Sequence, residues 1–325
     1  MSTSVSVRSV VVAVLSALAM VGSTHCAMAS TKSATPFASQ RALTATLNAS
    51  SMSQTLPNDL SPRLQDVSAD WTNSGGCLMS YDASGALSAW PGPTKCARGD
   101  VKSAKTVVLF GDSQAWMWEP AFDALGTSMG YRVVVIARAS CEVADLPLYD
   151  YHSATSSTNC TSFRTAALRE IVLLRPSAVV VADLRPLHPE SMNQRPISNG
   201  SYLVALAKTV AILRTASPNV VLLGQHPIVP EDPTACLSAH PTATRGCGIS
   251  LARAIPYFAD LTYASVAAVT GAHFHSPMSW FCGSNFCPAL AGTTPIYTNR
   301  YHITRTFALR LVPLLKQLLV ADHVF

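Results

Sequence analysis

The sequence has few charged residues, and they are not clustered. Only 13% of its residues are Asp, Glu, Lys or Arg, and 23 basic against 18 acidic side chains give a net charge of +5. Nucleic-acid binding needs a dense basic stripe, so the composition excludes a nucleic-acid partner. The mild positive charge is compatible with an anionic cell-wall polymer nearby. The sequence also shows no internal repeat.

Long apolar segments are absent after the N-terminus, so we expect a soluble mature protein. The apolar stretch over residues 10–20 is shorter than the roughly 20 residues of a spanning helix. Arg8 precedes it and Ala27-Met28-Ala29 follows, as in a secretory signal with an Ala-x-Ala cleavage site. We therefore predict a signal peptide over residues 1–29 and export to the periplasm, the cell envelope or the medium. A lipid anchor on Cys26 is the competing interpretation.

Cysteine is plentiful, with nine residues, and removing the predicted signal peptide would leave eight. An even number of cysteines in an exported chain favours disulfides. The sequence does not fix their connectivity, but each neighbouring pair brackets a loop-like stretch that a bond would make rigid. We predict the disulfides Cys77–Cys96, Cys141–Cys160, Cys236–Cys247 and Cys282–Cys287.

A zinc site is the alternative for the last two cysteines. His273 and His275 would share one face of a strand upstream of Cys282 and Cys287, and clusters of Cys and His bind zinc. Because export favours disulfides, we predict no metal and no other cofactor.

The composition changes along the chain. Residues 30–70 are rich in Ser, Thr and Ala and predict a flexible stem. Residues 71–104 contain one cysteine pair and several turns, and predict a small disulfide-stapled N-terminal extension. Strand and helix patterns alternate over the catalytic domain predicted for residues 105–325. The predicted strands cover 106–110, 131–137, 178–182, 219–224 and 272–275, and the predicted helices cover 120–129, 161–174, 202–215, 250–270 and 304–319.

The strand patterns are continuous runs of Val, Leu and Ile, which indicate strands buried on both faces. Their alternation with helices predicts a three-layer α/β/α sandwich around a mostly parallel sheet. Active sites in such folds lie at the carboxyl ends of the strands. Ser113, Ser140, Asp183 and His226 all follow predicted strand ends, so we expect them to share one rim.

The block Gly111-Asp112-Ser113 lies between a predicted strand and a predicted helix. A helix start offers unpaired N–H groups to a developing negative charge. Serine needs a base to become a nucleophile, and His302 lies just before the last predicted helix. We predict Ser113 as the nucleophile, rather than only a helix cap, and His302 as the general base.

This pairing of a Gly-Asp-Ser block with an Asx-x-x-His block resembles the SGNH (GDSL-type) hydrolases. It is closer still to the SGNH domains attached to acyltransferase-type-3 (AT3) membrane proteins, which have a similar Asp-Ser-His/Gln start and a similar end to His302-Ile303-Thr304. The resemblance covers roughly residues 70–325. It implies the flavodoxin-like SGNH fold, and it implies carbohydrate or a cell-wall polymer as substrate.

The sequence departs from the SGNH pattern at two positions. The acidic residue three before the histidine is Asn299 here, and we predict that its amide oxygen orients His302, as in Cys-His-Asn proteases. A simple turn residue is the alternative. The family's Gly-x-Asn-Asp block, whose Asn donates to the oxyanion, is absent, and the matching strand end reads Ala182-Asp183-Leu184-Arg185.

Other donors must therefore complete the predicted oxyanion hole. The Ser113 N–H is the first, and the family resemblance places a second in the loop of Ser140 and Cys141. Arg185 is a candidate replacement for the missing Asn, with a surface salt bridge as the alternative. His226 is a candidate substrate contact, with a structural histidine as the alternative.

These observations predict an exported serine-dependent esterase or O-acyltransferase. It would carry an acyl group, taken as acetyl, on Ser113 and pass it to water or to a sugar hydroxyl. A separate membrane acyltransferase is a candidate partner. The alternative is a non-catalytic carbohydrate-binding or accessory protein that keeps the SGNH scaffold.

Overall fold

The computed structural model describes Met1 and residues 35–80, 89–146, 156–185, 197–254 and 257–325, with the side chains of 156–159 and 257–258 excepted. Apart from Met1, the predicted signal peptide lies outside these residues. Within the described ranges, no helix combines the length and hydropathy needed to cross a membrane.

In the described part of the chain, the central sheet has seven strands: β1 Leu78–Met79, β2 Ala97–Gly99, β3 Thr106–Gly111, β4 Arg132–Arg138, β5 Ala178–Ala182, β6 Asn219–Leu223 and β8 His273–His275. Their order is β1-β4-β3-β5-β6-β8, and β2 pairs with β4. Strand β2 runs antiparallel to β4, and the other pairings among these strands are parallel. Short hairpin strands are β7 Ile249–Ser250, β9 Phe286–Cys287, β10 Leu290–Ala291, β11 Thr294–Pro295, β12 Tyr297–Asn299 and β13 His302–Ile303.

Helices cover both faces of the sheet. They are α1 Gln40–Met52, α2 Ser113–Met129, α3 Ser156–Leu174, α4 Asn199–Ala216, α5 Pro233–Ala239, α6 Leu251–Ala254, α7 Tyr257–Thr270, α8 Met278–Phe281, α9 Arg305–Arg310 and α10 Val312–Ala321, with 3₁₀ turns at Leu64–Ala69 and Thr244–Cys247.

Successive residues of the strands alternate between two hydrophobic cores, because side chains of a strand point to opposite faces. Val107 and Leu109 of β3 pack in the core that contains buried residues of α1, α2, α9 and α10. Val108 and Phe110 pack in the other core, with α3, α4 and α7. The structure therefore confirms the predicted three-layer α/β/α sandwich.

The predicted elements are confirmed with shifted ends. Helix α2 begins at Ser113 instead of residue 120, because Asp112 caps it and Pro120 is accommodated inside it. The helix predicted over 304–319 is two helices, α9 and α10, since Pro313 lies in the first turn of α10 and proline starts helices more readily than it continues them. In place of the single helix predicted over 250–270, the structure has α6 and α7.

The flexible stem predicted for residues 30–70 is wrong for residues 35–70. Helix α1 is capped by Ser39, and its Leu43 and Leu47 are fully buried in the core shared with α2. The Phe37 N–H donates to the Arg310 carbonyl at 2.9 Å. The segment is ordered because two leucines one helical turn apart bury a narrow apolar stripe, which the surrounding Ser, Thr and Ala conceal in the sequence.

The predicted small extension over residues 71–104 is built into the central sheet. Strands β1 and β2 both pair with β4, and the Cys77–Cys96 disulfide joins the residues directly before these two strands. The other three predicted disulfides, Cys141–Cys160, Cys236–Cys247 and Cys282–Cys287, are also formed. Four disulfides suit an oxidising compartment.

Candidate active site

Ser113 lies at the junction of β3 and α2, half-buried at the carboxyl edge of the sheet. Gly111 permits this junction, because a Cβ there would come within 1.9 Å of the Ala182 carbonyl oxygen of β5. Asp112 is the N-cap of α2: its Oδ1 accepts from the Gln114 N–H at 2.7 Å, and its Oδ2 accepts from the Leu184 N–H at 3.1 Å. The tripeptide thus connects the serine to the end of β3 and, through Asp112, to the chain just after β5.

Asp112 is buried, and this changes its charge. Loss of hydration, and secondarily the nearby Asp183, raise the pKa of the Asp112 carboxyl to about 8. A carboxyl with this pKa is largely protonated at neutral pH. It therefore places little negative charge beside Ser113, where an oxyanion would form.

His302 and Asn299 face each other across a tight hairpin. Strands β12 and β13 are antiparallel, with Asn299 opposite His302 in the register. The side-chain oxygen of Asn299 lies 2.9 Å from the Tyr301 N–H nitrogen and 3.0 Å from Nδ1 of His302. A backbone N–H can only donate, so the Asn299 atom that faces it must be the oxygen. Nδ1 of His302 then carries the proton.

Nε2 of His302 is therefore left with its lone pair, and it lies 2.7 Å from Oγ of Ser113. The Ser113 hydroxyl donates to it. Burial, and secondarily the nearby His226, lower the pKa of His302 to about 4. A neutral imidazole at neutral pH can accept a proton from serine. The structure thus brings Ser113, His302 and Asn299 into one hydrogen-bonded series.

Two buried side chains hold this hairpin in place. The Tyr301 carbonyl oxygen accepts from Nε2 of Gln114 at 2.6 Å and lies 2.7 Å from Nε2 of His226. Gln114 is adjacent to Ser113, so this bond ties the serine's helix directly to the turn before His302. Sequence reasoning did not assign a role to Gln114, although it belongs to the Asp-Ser-His/Gln start.

His226 was predicted to be a candidate substrate contact, with a structural histidine as the alternative. Its surroundings favour the structural alternative. It is only 1% exposed, and its two ring nitrogens each lie 2.7 Å from a carbonyl oxygen, those of Pro227 and Tyr301. Its ring packs against Phe281 and Tyr297. Burial lowers its pKa. The side chain is structural and supports the Asn299–His302 hairpin.

Arg185 also differs from the prediction. Its side chain is 2% exposed. It donates to Oδ1 of Asn199 and lies over the ring of Tyr202, with 4.9 Å between guanidinium and ring centre. Both partners belong to α4, on the opposite face of the sheet from α2. A guanidinium enclosed there cannot replace the missing oxyanion donor, nor is it a surface salt bridge.

Ser140 lies in the loop after β4, exposed, with a φ of +57°. Register pairs Gly111 with Ala137, so Ser113 and Ser140 leave neighbouring strands at the same edge. The Cys141 N–H donates to the Arg138 carbonyl at 3.3 Å. Of the two residues predicted for the second donor, Ser140 is therefore the one that remains a candidate. Asp183 is turned inward, where it accepts from the Val143 N–H and from the Tyr263 hydroxyl.

The four residues considered as zinc ligands have other partners in the structure. Cys282 and Cys287 are joined to each other, so neither can be a thiolate ligand. His273 and His275 both contact the Asp322 carboxylate. No group of three or more His, Cys, Asp or Glu that could hold a metal ion occurs among the described residues.

Trp71 is, after Gln114, another residue near the site that the sequence analysis did not identify. Its indole meets the His302 ring edge to face, with 4.9 Å between ring centres and 62° between planes. Nothing in the local sequence distinguishes it from a packing residue, because the contact joins positions far apart in the chain.

Comparison with known proteins identifies the fold independently. Residues 76–317 match the family model described as SGNH domain (fused to AT3 domains). No curated protein sequence matches the chain. Among solved structures, the chain is similar to the lipopolysaccharide acetyltransferase periplasmic domain of Salmonella ser. Paratyphi A, with 15% identity, a TM-score of 0.54, and coverage of 68% of this chain and 86% of that one. It is also similar to a carbohydrate esterase family 2 enzyme plus carbohydrate binding domain of Corynascus thermopiles (Myceliophthora fergusii), with 16% identity, a TM-score of 0.40, and coverage of 68% and 67%.

Proposed function

Because this chain belongs to the SGNH domains of the kind fused to AT3 domains, we propose that it is a serine-dependent esterase or O-acyltransferase with Ser113 as nucleophile. The observation that carries the proposal is the hydrogen-bonded series Ser113–His302–Asn299. Such a series supplies a nucleophile, a base and a group that orients the base. The family resemblance supplies the substrate class, an acyl group, taken as acetyl, on a carbohydrate or cell-wall polymer.

In the first half of the reaction, Oγ of Ser113 attacks the acyl carbon while Nε2 of His302 takes the hydroxyl proton. The tetrahedral intermediate collapses, and the bond between the acyl carbon and the leaving alcohol oxygen breaks. The imidazolium returns its proton to that oxygen. The products are a free alcohol and an acyl group esterified to Ser113.

The second half uses the same groups in reverse. His302 takes a proton from water or from a sugar hydroxyl, whose oxygen attacks the acyl-enzyme. Oγ of Ser113 leaves and recovers the proton. Hydrolysis and transfer therefore differ only in which hydroxyl reaches the acyl carbon, and exclusion of water favours transfer. A separate membrane acyltransferase is our proposed source of the acyl group.

The oxyanion needs donors that are oriented before the reaction. The Ser113 N–H belongs to the first turn of α2, whose N–H groups have no partner within the helix. We assign the second donor to the backbone N–H of Ser140, in the loop where the family resemblance places a glycine N–H. The raised pKa of Asp112 favours the same oxyanion, because an adjacent carboxylate would repel it.

Hydrolysis of p-nitrophenyl acetate by the full chain tests this proposal. Ser113→Ala should abolish turnover, and a serine-directed phosphonate should label Ser113 in the wild type. The matched control is Ser198→Ala, which removes another serine at a helix start, the N-cap of α4. The control costs about 1 kcal/mol of stability and should leave turnover unchanged.

The alternative is a non-catalytic carbohydrate-binding or accessory protein. It is supported by the neutral Asn299 in place of an acid. It predicts no turnover by the wild type and no phosphonate labelling, together with unimpaired binding of carbohydrate by Ser113→Ala. Turnover that survives in Ser113→Ala would contradict the assigned nucleophile.

A further inference from the structure

We infer that Trp71 is a specificity-determining residue that stacks on the sugar ring of the substrate beside Ser113 and His302. The inference rests on the proposed function, which it deepens by assigning a carbohydrate contact. It starts from the direct contact between the Trp71 indole and the His302 imidazole.

The residues on either side of Trp71 are attached to the elements that carry the reactive pair. The Asp70 carbonyl accepts from the Arg305 N–H at 2.8 Å, and the Asp70 carboxylate accepts from the Thr306 N–H at 2.9 Å. Both donors belong to the first turn of α9, which begins three residues after His302. Asp70 thus fixes the chain before Trp71 to the helix that follows the base.

The chain after Trp71 is fixed to the other half of the site. The Thr72 carbonyl accepts from Nε1 of Trp116 at 3.0 Å, and Trp116 is fully buried in α2, three residues after Ser113. The indole is therefore held between the helix of the nucleophile and the helix after the base. An aromatic ring held in this way loses little entropy when a ligand packs on it.

The indole is only partly buried, whereas Trp116 and Trp118 of α2 are almost completely enclosed. Ser113 and His302 are also partly exposed, so the three side chains leave an open surface on the described part of the molecule. A wholly structural tryptophan would gain more by full burial.

The geometry indicates what lies on this surface. A reacting hydroxyl must come within hydrogen-bond reach of Nε2 of His302, and the ring that carries it then lies next to the indole. A pyranose presents a face of C–H groups, which packs on an aromatic face, while its hydroxyls remain free for Ser113 and His302. Trp71 therefore favours a cyclic sugar over an acyclic alcohol.

The test compares two acetyl esters that differ in their alcohol. One is 6-O-acetylglucose, and the other is vinyl acetate, which has no ring to stack. We measure kcat/KM for each and take the ratio of the first to the second. Trp71→Ala should lower this ratio about tenfold, a loss of about 1.4 kcal/mol in the selective contact. Trp71→Phe, which keeps an aromatic ring, should recover most of the ratio.

The matched control is Trp90→Phe. Trp90 is also partly buried, but its Nε1 donates to the Val135 carbonyl in the central sheet, so its replacement should leave the ratio unchanged. An equal fall for both esters in Trp71→Ala would overturn the inference, because Trp71 would then only support His302.

Failure of the proposed function is recognised separately, from turnover that survives Ser113→Ala or is absent in the wild type. Trp71 is then judged by calorimetric titration of tri-N-acetylglucosamine into the full chain. Weaker binding by Trp71→Ala than by the wild type and Trp90→Phe supports the contact. Equal binding by Trp71→Ala, or no binding by the wild type, overturns it.

Discussion

The side-chain oxygen of Asn299 serves both the turn and His302. It accepts the Tyr301 N–H at 2.9 Å and lies 3.0 Å from Nδ1 of His302. The two interpretations of this residue, as a turn former and as the group that orients the base, are therefore not exclusive. The backbone bond fixes the amide orientation, and that orientation fixes the histidine tautomer.

Replacing Asn299 tests how far this amide supports the base. Asn299→Ala removes both hydrogen bonds, so we expect kcat to fall about tenfold or more, in keeping with the loss of 1–3 kcal/mol per buried partner. Asn299→Asp places a carboxylate beside the imidazolium, so kcat should equal or exceed that of the wild type. Unchanged rates in both variants would leave Asn299 as a turn residue alone and the site as a Ser-His dyad.

The pH dependence of kcat/KM tests the protonation state of His302. Burial and His226 lower its pKa to about 4, so the neutral base persists well below neutrality. We expect kcat/KM to stay level from pH 7 to about pH 5 and to be halved near pH 4. Far-UV circular dichroism over the same range separates titration from unfolding. If kcat/KM were instead halved near pH 6.5, the ordinary pKa of histidine, the prediction would be contradicted. In Asn299→Asp, kcat/KM should be halved at a higher pH than in the wild type, because a carboxylate stabilises the imidazolium and raises the pKa of His302.

Gln114 is expected to act as a positioning residue through the Tyr301 carbonyl. Gln114→Glu replaces a donor by a carboxylate that repels this carbonyl, so we expect kcat to fall about tenfold with little change in KM. Gln114→Ala should cost less, since His226 still contacts the carbonyl. The control is Gln40→Glu, because Gln40 donates in the same way to the Ser279 carbonyl at 2.7 Å, away from the site. A parallel loss of activity in Gln40→Glu would show that general destabilisation is responsible.

The packing of α1 can be measured directly by urea unfolding. Leu47 is fully buried in the core that α1 shares with α2, so Leu47→Ala should lower the free energy of unfolding by about 2–5 kcal/mol. Arg41→Ala, at an exposed position of the same helix, should change it by less than about 0.5 kcal/mol. Equal free energies of unfolding for the two variants would contradict the packing of α1 and support the flexible stem predicted from the sequence.

The disulfides should contribute according to the loops that they close. Cys77 and Cys96 are 19 residues apart, and Cys282 and Cys287 are 5 apart. Constraint of the unfolded chain predicts losses of about 3 and about 2 kcal/mol, respectively, when each pair is replaced by serine. Non-reducing peptide mapping should show four bonds between sequence neighbours. A free thiol at Cys282 or Cys287 would contradict the assigned pairing.

Much of the fold follows from local patterns. The runs of Val, Leu and Ile predict four sheet strands, β3, β4, β5 and β6, to within one or two residues at each end, because burial on both faces demands continuous apolar residues. Strands β1 and β2 were not predicted, since each is only two or three residues long and depends on pairing with β4. The helix α1 was missed because its apolar stripe consists of only a few residues.

The sequence by itself determined the alternation of strands and helices from residue 105 onward, and it placed Ser113 after a strand end and His302 just before the last predicted helix. Tertiary structure alone decided which side chains accompany them. It buried Arg185 and His226 and set Trp71 against His302 from a segment far away in the chain. Periodicity within a segment reports which face is apolar, whereas the environment of a polar or aromatic side chain depends on residues from other segments that pack around it.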